Sequence, residues 1–320
     1  MEVSNGPSNV PRVSDPLPIS GTTRFCAVYG HPVKHSASPA MQNAGMAALG
    51  RDWRYIAHDV EPHALAAAVA GAAAMKYIGL NLTVPHKMLA YDLVDELDET
   101  GRTWGAVNTI RFEGSIGEDK WLPLAELPID YDGPVRTHGF NTDADAIVRS
   151  LKEDLGFNPK GQRVVVLGAG GAGRVAALRL AAEGAGELFL VNRSQNKSDA
   201  VREEIGSKYH DVRCFLGYPE DRQAALLLNA TSLGLKTDDP SPLDEKKFPC
   251  DGAPHVYDMI YRPAETPFLQ RAREAGVKTA NGLGMLLYQG TKALEIWTGQ
   301  TAPVDVMRDA LKLNVYGPQS

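Results

Sequence analysis

A glycine-rich turn after a short apolar run is the feature that most constrains what this chain can fold into. The run Val164–Leu167 leads into Gly168-Ala169-Gly170-Gly171-Ala172-Gly173, which completes a G-x-G-x-x-G pattern. In such a pattern the first glycine permits a tight turn, the second lets the backbone approach a pyrophosphate, and the third lets the next helix pack closely on the strand. The pattern therefore predicts a dinucleotide site on Gly168, Ala169, Gly170, Gly171 and Ala172, and a glycine-rich turn without a ligand is the alternative.

The residues on either side of this turn predict a complete βαβ unit. Gln162–Leu167 reads as a β-branched strand, Arg174–Glu183 as an alanine-rich helix that ends at Gly184, and Glu187–Val191 as the next strand. A helix that begins directly after the turn offers free N–H groups and its positive dipole end to phosphates. These elements predict a Rossmann-like, doubly wound domain.

The end of the second strand of this unit favours NADP over NAD. An NAD site usually has an acidic residue here for the ribose 2′-hydroxyl, whereas this chain has Asn192, Arg193 and Ser194, followed by Lys197. A carboxylate would repel a 2′-phosphate, but the planar guanidinium of Arg193 and the hydroxyl of Ser194 can bind one. The alternative is a solvated pair of loop charges.

Length and composition predict two domains. The chain has 320 residues, 43% of them hydrophobic, which is more than one core usually holds. Its net charge of −6 argues against a nucleic-acid partner, and the alanine-rich stretch 64–74 is too short to span a bilayer. Residues 1–21 contain several prolines but no apolar signal core, and they are predicted to form a disordered tail.

Cysteine and histidine usage predicts a reducing cytoplasm and no metal site. Cys26, Cys214 and Cys250 lie far apart, so no disulfide framework or Cys-x-x-Cys metal motif is present, and the eight histidines form no ligand motif.

The region before the glycine turn predicts a second α/β unit with its own sheet. The expected strands are Phe25–Tyr29, Trp53–Asp59, Ile78–Leu82 and Ala106–Phe112, and the expected helices are Pro39–Leu49, Pro62–Ala74 and Met88–Leu97. The segment 113–138 is longer than a simple hairpin and is expected to be an added loop.

Polar residues follow the predicted strands of this N-terminal unit. Ser36 and Ser38 stand just before a proline-started helix, where two hydroxyls could bind a carboxylate; N-capping by Ser38 is the alternative. The other polar residues at strand ends are Asn81, Thr83, Lys87 and Asn108. Asp143 opens the next helix, as either a helix N-terminal charge or a reacting carboxylate.

Six separated motifs resemble, in order, those of the shikimate dehydrogenase family. They are S-A-S-P at Ser36, N-L-T-V-P-H-K ending at Lys87, A-V-N-T at Ala106, N-T-D at Asn141, G-A-G-G-A at Gly168 and N-G-L-G-M-L-L-Y-Q at Asn281. The resemblance runs from about Phe25 to Leu311. It implies NADP-dependent, reversible reduction of 3-dehydroshikimate to shikimate, in aromatic amino acid biosynthesis.

The resemblance also implies an architecture. We expect an α/β substrate domain over residues 22–145, with a C-terminal return over 283–320, and a Rossmann NADP-binding domain over 146–282. Residues 284–298 and 304–313 are the expected helices of the return. The active site would lie in the cleft between the domains, and the chain would be a monomer or homodimer.

Family positions assign roles to individual residues. Lys87 and Asp143 would handle the proton. The residues implied to bind the substrate are Ser36, Ser38, Asn81, Thr83, Asn108, Tyr261 and Gln289. Met259, Gly282 and Glu99 would touch the nicotinamide end of the cofactor, and Arg193, Ser194 and Lys197 its 2′-phosphate.

The chemistry of the reaction agrees with these roles. Hydride loss from a secondary alcohol is easy only if the hydroxyl proton leaves at nearly the same time, so a base must touch that oxygen. Lys87 can be that base if burial destabilises its charge, with Asp143 orienting the ammonium. An exposed lysine at a helix start is the alternative.

Two other functions remain open from the sequence. P-A-M-Q-N near Met41 and W-T-G near Trp297 resemble the quinate/shikimate branch of the family, so NAD(P)-dependent quinate oxidation is an alternative. A catalytically idle NADP-binding sensor is another. The presence of both Lys87 and Asp143 argues against the sensor, because a pure binder needs neither proton-handling group.

Overall fold

The fold of residues 18–236 and 238–318 is described by a computed structural model. Of the predicted tail, residues 1–17 therefore lie outside the described residues. In the described ranges no helix is long and apolar enough to cross a membrane.

The first sheet is built from residues 24–140. Its strands are β1 (Arg24–Gly30), β2 (Trp53–Asp59), β3 (Gly79–Leu82), β4 (Glu96–Leu97), β5 (Thr109–Ser115), β6 (Trp121–Pro123) and β7 (Val135–Phe140). They lie in the order β2-β1-β3-β5-β7-β4, and β6 pairs with β5. β1 runs parallel to β2 and β3, whereas β5 is antiparallel to β3, β6 and β7.

Five helices belong to this part of the chain. They are α1 (Ser38–Ala48), α2 (Leu65–Ala74), α3 (His86–Leu89), α4 (Glu99–Trp104) and α5 (Asp143–Leu155). Helix α5 leads from the first sheet to the second.

The second sheet is entirely parallel and doubly wound. Its strands are β8 (Arg163–Leu167), β9 (Glu187–Val191), β10 (Arg213–Leu216), β11 (Leu226–Asn229), β12 (His255–Asp258) and β13 (Lys278–Asn281), in the order β10-β9-β8-β11-β12-β13. This is the dinucleotide-binding order, and its helices are α6 (Gly171–Ala182), α7 (Gln195–Lys208) and α8 (Pro267–Glu274). Val164 and Val166 enter one core and Val165 and Leu167 the other, so both faces of β8 are buried.

The last two helices return to the first sheet. Helix α9 (Leu283–Thr298) places Trp297, which is fully buried, against Gly79, and the indole Nε1 donates a 2.9 Å hydrogen bond to the Ile110 carbonyl. Helix α10 (Val304–Tyr316) packs on α1 and buries Met307 and Leu311 in the same core. The predicted mixed α/β fold class, with a Rossmann-like part, is confirmed.

Three predictions of local structure are wrong. The helix expected over 88–97 is only α3 and one 3-10 turn, because Asp95 and Thr137 bond to each other and β4 joins the edge of β7. The strand expected from Ala106 begins at Thr109. The segment 113–138 is not an unstructured loop, since it contains the end of β5, all of β6 and the start of β7.

A buried ion cluster explains why that last segment is ordered. Glu113 is 2% exposed, and its carboxylate accepts hydrogen bonds from Arg111, Arg136 and His138. Burial raises the pKa of Glu113, but the bonds from His138, Arg111 and Arg136 outweigh burial and lower it to about 2. The carboxylate therefore joins β5 to β7.

Candidate active site

A cavity of about 310 Å³ lies at the carboxyl ends of β1 and β3, under the start of α9. Ten of the residues singled out in the sequence line it: Ser36, Ser38, Asn81, Thr83, Lys87, Asp143, Met259, Tyr261, Gly282 and Gln289. They come from both ends of the chain, since strand ends of the first sheet, the loop after β12 and helix α9 converge here. The cavity thus lies between the two sheets.

An ion pair lies in this cavity. The Nζ atom of Lys87, on α3, is 2.6 Å from the Oδ2 atom of Asp143, the first residue of α5. The Lys87 side chain is 33% exposed and that of Asp143 only 11%, so the pair is reachable from the cavity but largely shielded from water. A carboxylate at a helix N-terminus is also stabilised by the helix dipole.

Asn108 does not line the cavity but fixes the residue that precedes Asp143. It is buried, its Oδ1 accepts from the Thr142 backbone N–H at 2.8 Å, and its Nδ2 donates to the Thr142 hydroxyl at 3.0 Å. The side chain of Asn141, in turn, accepts from the backbone N–H groups of Asp143 and Ala144. Asn108 therefore holds Thr142 in place, and its direct contact with the substrate stays a prediction.

Tyr55 supports the cavity residue Asn81 from behind the cavity wall, and the sequence reasoning missed it. Its hydroxyl donates a 2.7 Å hydrogen bond to Oδ1 of Asn81, whose Nδ2 donates to the Thr109 hydroxyl at 3.0 Å. Burial raises the pKa of Tyr55 well above its usual value, so the hydroxyl stays a donor. Its inward position on β2, two residues from Trp53, was the available signal, because a buried tyrosine hydroxyl needs a partner.

The two serines stand at the start of α1. Ser38 is the first helical residue and is buried, the N-cap is Ala37, and no side chain caps this helix end. N-capping by Ser38, the alternative raised by the sequence, is therefore wrong. Both hydroxyls line the cavity, while the Ser38 backbone N–H donates a long 3.4 Å bond to Ser36 Oγ.

The glycine turn has the shape that a dinucleotide needs. Gly168 has φ +100°, and a Cβ on Gly173 would collide with the Gly168 carbonyl, so the helix can approach the strand only with glycine here. A Cβ on Gly170 or Gly171 would meet nothing within 4 Å, which leaves open space at the N-terminus of α6. No side chain caps that helix end, so the arrangement fits a pyrophosphate.

The residues after β9 extend this site. Asn192 accepts from the Ala169 backbone N–H at 3.1 Å and donates to the Ser194 carbonyl at 2.7 Å, which ties the glycine turn to the following loop. Ser194 is the N-cap of α7 and Lys197 is exposed in its first turn. Arg193 is exposed on a second cavity of about 580 Å³ and, across residues 18–236 and 238–318, it makes no ion pair, so it is free for a phosphate.

The three residues expected at the nicotinamide end divide into two groups. Met259 and Gly282 both line the 310 Å³ cavity, and Gly282 passes so close to the Met259 carbonyl that a Cβ would collide with it. Glu99 is exposed at the first position of α4 and does not line this cavity.

A two-domain dehydrogenase that uses a dinucleotide is the class of protein that this fold and site define: a doubly wound sheet with a glycine turn, and a second sheet that supplies a proton-handling pair. Sequence models for three regions match the chain. They are the shikimate dehydrogenase substrate binding domain at residues 28–110, a shikimate/quinate 5-dehydrogenase domain at 150–217 and the shikimate 5′-dehydrogenase C-terminal domain at 282–312.

Whole-chain similarities extend these matches. A shikimate dehydrogenase (NADP+) of Methanopyrus kandleri is 38% identical over 301 residues, covering 92% of this chain and 96% of that protein. A crystal structure of a shikimate dehydrogenase in complex with NADP+ superposes with a TM-score of 0.79 at 33% identity, covering 93% and 97% of the two chains. A quinate dehydrogenase from Corynebacterium glutamicum in complex with NAD has a TM-score of 0.74 at 28% identity, covering 90% and 98%. The chain belongs to the shikimate dehydrogenase family.

Proposed function

We propose that this protein is an NADP-dependent shikimate dehydrogenase, which reversibly reduces 3-dehydroshikimate to shikimate in aromatic amino acid biosynthesis. The observation that carries the proposal is the Lys87–Asp143 pair, held 2.6 Å apart in a cavity that also contains the two serine hydroxyls. Its relatives named for NADP and shikimate support the same assignment.

The substrate would be oriented by polar groups that line the cavity. Ser36 and Ser38 present hydroxyls at the start of α1, where they would bind the substrate carboxylate. Asn81, Thr83 and Gln289 would bind ring hydroxyls, and Tyr261, whose pKa is raised by burial, would remain a neutral donor. Asn108 would hold Thr142 in place and, as the family positions imply, bind the substrate carboxylate or a ring hydroxyl.

Proton transfer would be the task of Lys87. NADPH supplies a hydride to the substrate carbonyl carbon when it is bound, and the carbonyl oxygen must gain a proton as its C=O double bond is lost. The Lys87 ammonium would give that proton and take it back in the oxidation direction, while Asp143 orients the ammonium through its 2.6 Å contact.

The cofactor would lie along the glycine turn. Gly168 to Ala172 would contact the pyrophosphate, and the Arg193 guanidinium, the Ser194 hydroxyl and the Lys197 ammonium would bind the 2′-phosphate. Met259 and Gly282 would border the nicotinamide, because both already line the substrate cavity. Glu99 lies outside that lining, so it would contact the cofactor only if the cofactor extends toward α4.

Initial rates test this function directly. Shikimate and quinate are each paired with NADP and with NAD, and reduced nicotinamide is followed by absorbance. Highest kcat/KM for shikimate with NADP supports the proposal. Faster turnover of quinate with NAD would place the protein in the second candidate class, which the structural similarity to a quinate dehydrogenase favours. No turnover in any pairing would indicate an NADP-binding sensor.

We further propose that the protein works in the cytoplasm as a monomer or homodimer, on a small-molecule substrate and without nucleic acid. The thiols of Cys26, Cys214 and Cys250 are all free, which suits a reducing compartment. Light scattering of the purified chain would measure its oligomeric state.

A further inference from the structure

The short helix that carries Lys87 has little apolar packing of its own. Helix α3 spans only His86–Leu89, and His86 is its one buried residue. Met88 and Leu89 are 54% and 47% exposed. A single helical turn is not stable by itself, so contacts with the rest of the protein must hold it in place.

The buried ring of His86 makes one such contact. Its Nε2 atom lies 2.8 Å from the carbonyl oxygen of Val60, the residue directly after β2. A carbonyl can only accept, so Nε2 carries the proton and donates it. Nδ1 is buried and has no partner among the residues that the structure describes. Burial also lowers the pKa of His86, so the ring is neutral and held in one tautomer.

The backbone supplies a second attachment at the neighbouring residue. The Val107 N–H donates a 2.9 Å hydrogen bond to the Lys87 carbonyl, and the His86 N–H donates to the Thr83 carbonyl at 2.8 Å. Two contacts thus hold Lys87 in place. The ring of the neighbouring His86 bonds to the residue after β2, and the carbonyl of Lys87 itself bonds to Val107, just before β5. Its Nζ atom reaches Asp143 from this position.

We propose that His86 is a positioning residue for the reaction, because its Nε2–H bond to the Val60 carbonyl fixes the direction in which α3 presents Lys87. This inference rests on the proton-transfer role of Lys87 given above. Burying the unpartnered Nδ1 atom of His86 costs free energy that an apolar side chain of similar size would not cost. A histidine here therefore indicates that the position requires the Nε2–H donor. No other side chain of α3 is buried to replace it.

A matched pair of substitutions separates positioning from packing. His86→Gln keeps a donor that can reach Val60, whereas His86→Met has similar length and no donor. We expect kcat of the Met variant to fall roughly 100-fold, since small displacements of a reacting group are that costly, with the Kd for NADP unchanged and the Gln variant within about threefold of wild type. Equal kcat values for the two variants would overturn the inference.

A third variant covers the case in which His86→Met is not folded by circular dichroism. His86→Asn retains an amide donor that is too short to reach Val60, so it is expected to lose kcat as the Met variant would. Wild-type kcat for a folded Asn variant would also overturn the inference.

A double-mutant cycle separates failure of this inference from failure of the proposed function. If His86 acts through Lys87, adding His86→Gln or His86→Met to Lys87→Ala should leave the residual kcat within about threefold. If the His86 substitution lowers kcat of Lys87→Ala by the same factor as it lowers kcat of the wild type, His86 acts independently of Lys87. Wild-type turnover of Lys87→Ala alone would instead overturn the proton-transfer role.

Discussion

At the residue scale, the site depends on polar groups that hold one another in place. Lys87 contacts Asp143, the Asn141 side chain accepts from the backbone N–H of Asp143, and Asn108 bonds to Thr142, which lies between Asn141 and Asp143 in the chain. The side-chain amides of Asn108 and Asn141 both have hydrogen-bond partners, so the start of α5, and with it Asp143, is held in place. Such preorganisation is what an acid–base pair requires.

Replacing Lys87 by alanine should remove most of the turnover. We expect kcat to fall by roughly two to four decades, because the proton at the reacting oxygen loses its carrier, while NADP binding is nearly unchanged. Steady-state kinetics and fluorescence titration with NADP measure the two effects. Lys152→Ala, at an exposed position of α5, is the control and should retain wild-type kcat. Undiminished turnover of the Lys87 variant would remove this residue from the mechanism.

At the scale of elements, two strand connections determine what the chain can bind and how it stays folded. In the turn between β8 and α6, two glycines have different roles. Gly173 allows α6 to pack closely on β8, whereas Gly171 faces open space. The connection between β5 and β7 uses charge, because Glu113 accepts from side chains of both strands. The first connection forms a site and the second stabilises a sheet.

Alanine at the two glycines should separate folding from cofactor binding. Gly173→Ala forces β8 and α6 apart and should lower stability by about 1–3 kcal/mol, as overpacking does. Gly171→Ala should leave the melting temperature nearly unchanged and weaken NADP binding, since its methyl group enters the space in front of the helix. Thermal melts and NADP titrations of both variants test this. Unweakened binding by a folded Gly171→Ala variant would contradict the proposed pyrophosphate position.

Glu113 should make the free energy of unfolding depend on pH in the acidic range. Its pKa is about 2 in the folded protein and near 4.5 when unfolded, so its contribution is complete above pH 4.5 and is lost as pH falls toward 2. Glu113→Gln leaves the Arg111, Arg136 and His138 side chains without their carboxylate partner. We expect it to lower the free energy of unfolding by about 3–5 kcal/mol at pH 7. In urea unfolding between pH 7 and pH 3, the free energy of unfolding should fall less steeply with pH for the variant than for the wild type. Parallel curves for both proteins would contradict this role.

At the scale of the whole molecule, α5 and α9 connect the two sheets and pack on each other. Gly284, near the start of α9, leaves room for the Asp154 carboxylate, which accepts a 2.6 Å hydrogen bond from Ser150 of α5. The Ser150 hydroxyl also lies 2.9 Å from that of Tyr257 on β12. We expect this contact to influence the distance between the sheets, and with it the width of the active-site cavity.

Valine at Gly284 should disturb both halves of the active site together. Its side chain would displace Asp154 and Ser150 and separate α5 from α9, so we expect a loss of about 1–3 kcal/mol in stability, a lower kcat and a higher KM for substrate. Gly71→Val is the control, because a side chain there meets nothing within 4 Å. Kinetics that match between the two variants would show that the α5–α9 contact does not set the geometry.

Local pattern was sufficient wherever neighbouring residues decide the structure. The strands Trp53–Asp59 and Glu187–Val191 have the predicted bounds, and the glycine turn leads into a helix as expected. Pattern failed at 88–97, where Asp95 bonds to Thr137 some forty residues away, and at 113–138, where Glu113 pairs with Arg136. Long-range partners override local preference in both segments.

The sequence by itself determined the fold class, the dinucleotide turn and most of the residues of the candidate site, because periodicity, glycine geometry and strand-end polarity act over a few residues. Only the tertiary structure decided which of these residues share a cavity. It places Asn108 against Thr142 and Glu99 outside the cavity lining, and it shows supporting hydrogen bonds from Tyr55 and His86, which do not line the cavity themselves. The hydrogen bonds from Tyr55 to Asn81 and from His86 to Val60 join residues 26 positions apart, and a single sequence does not record such pairings.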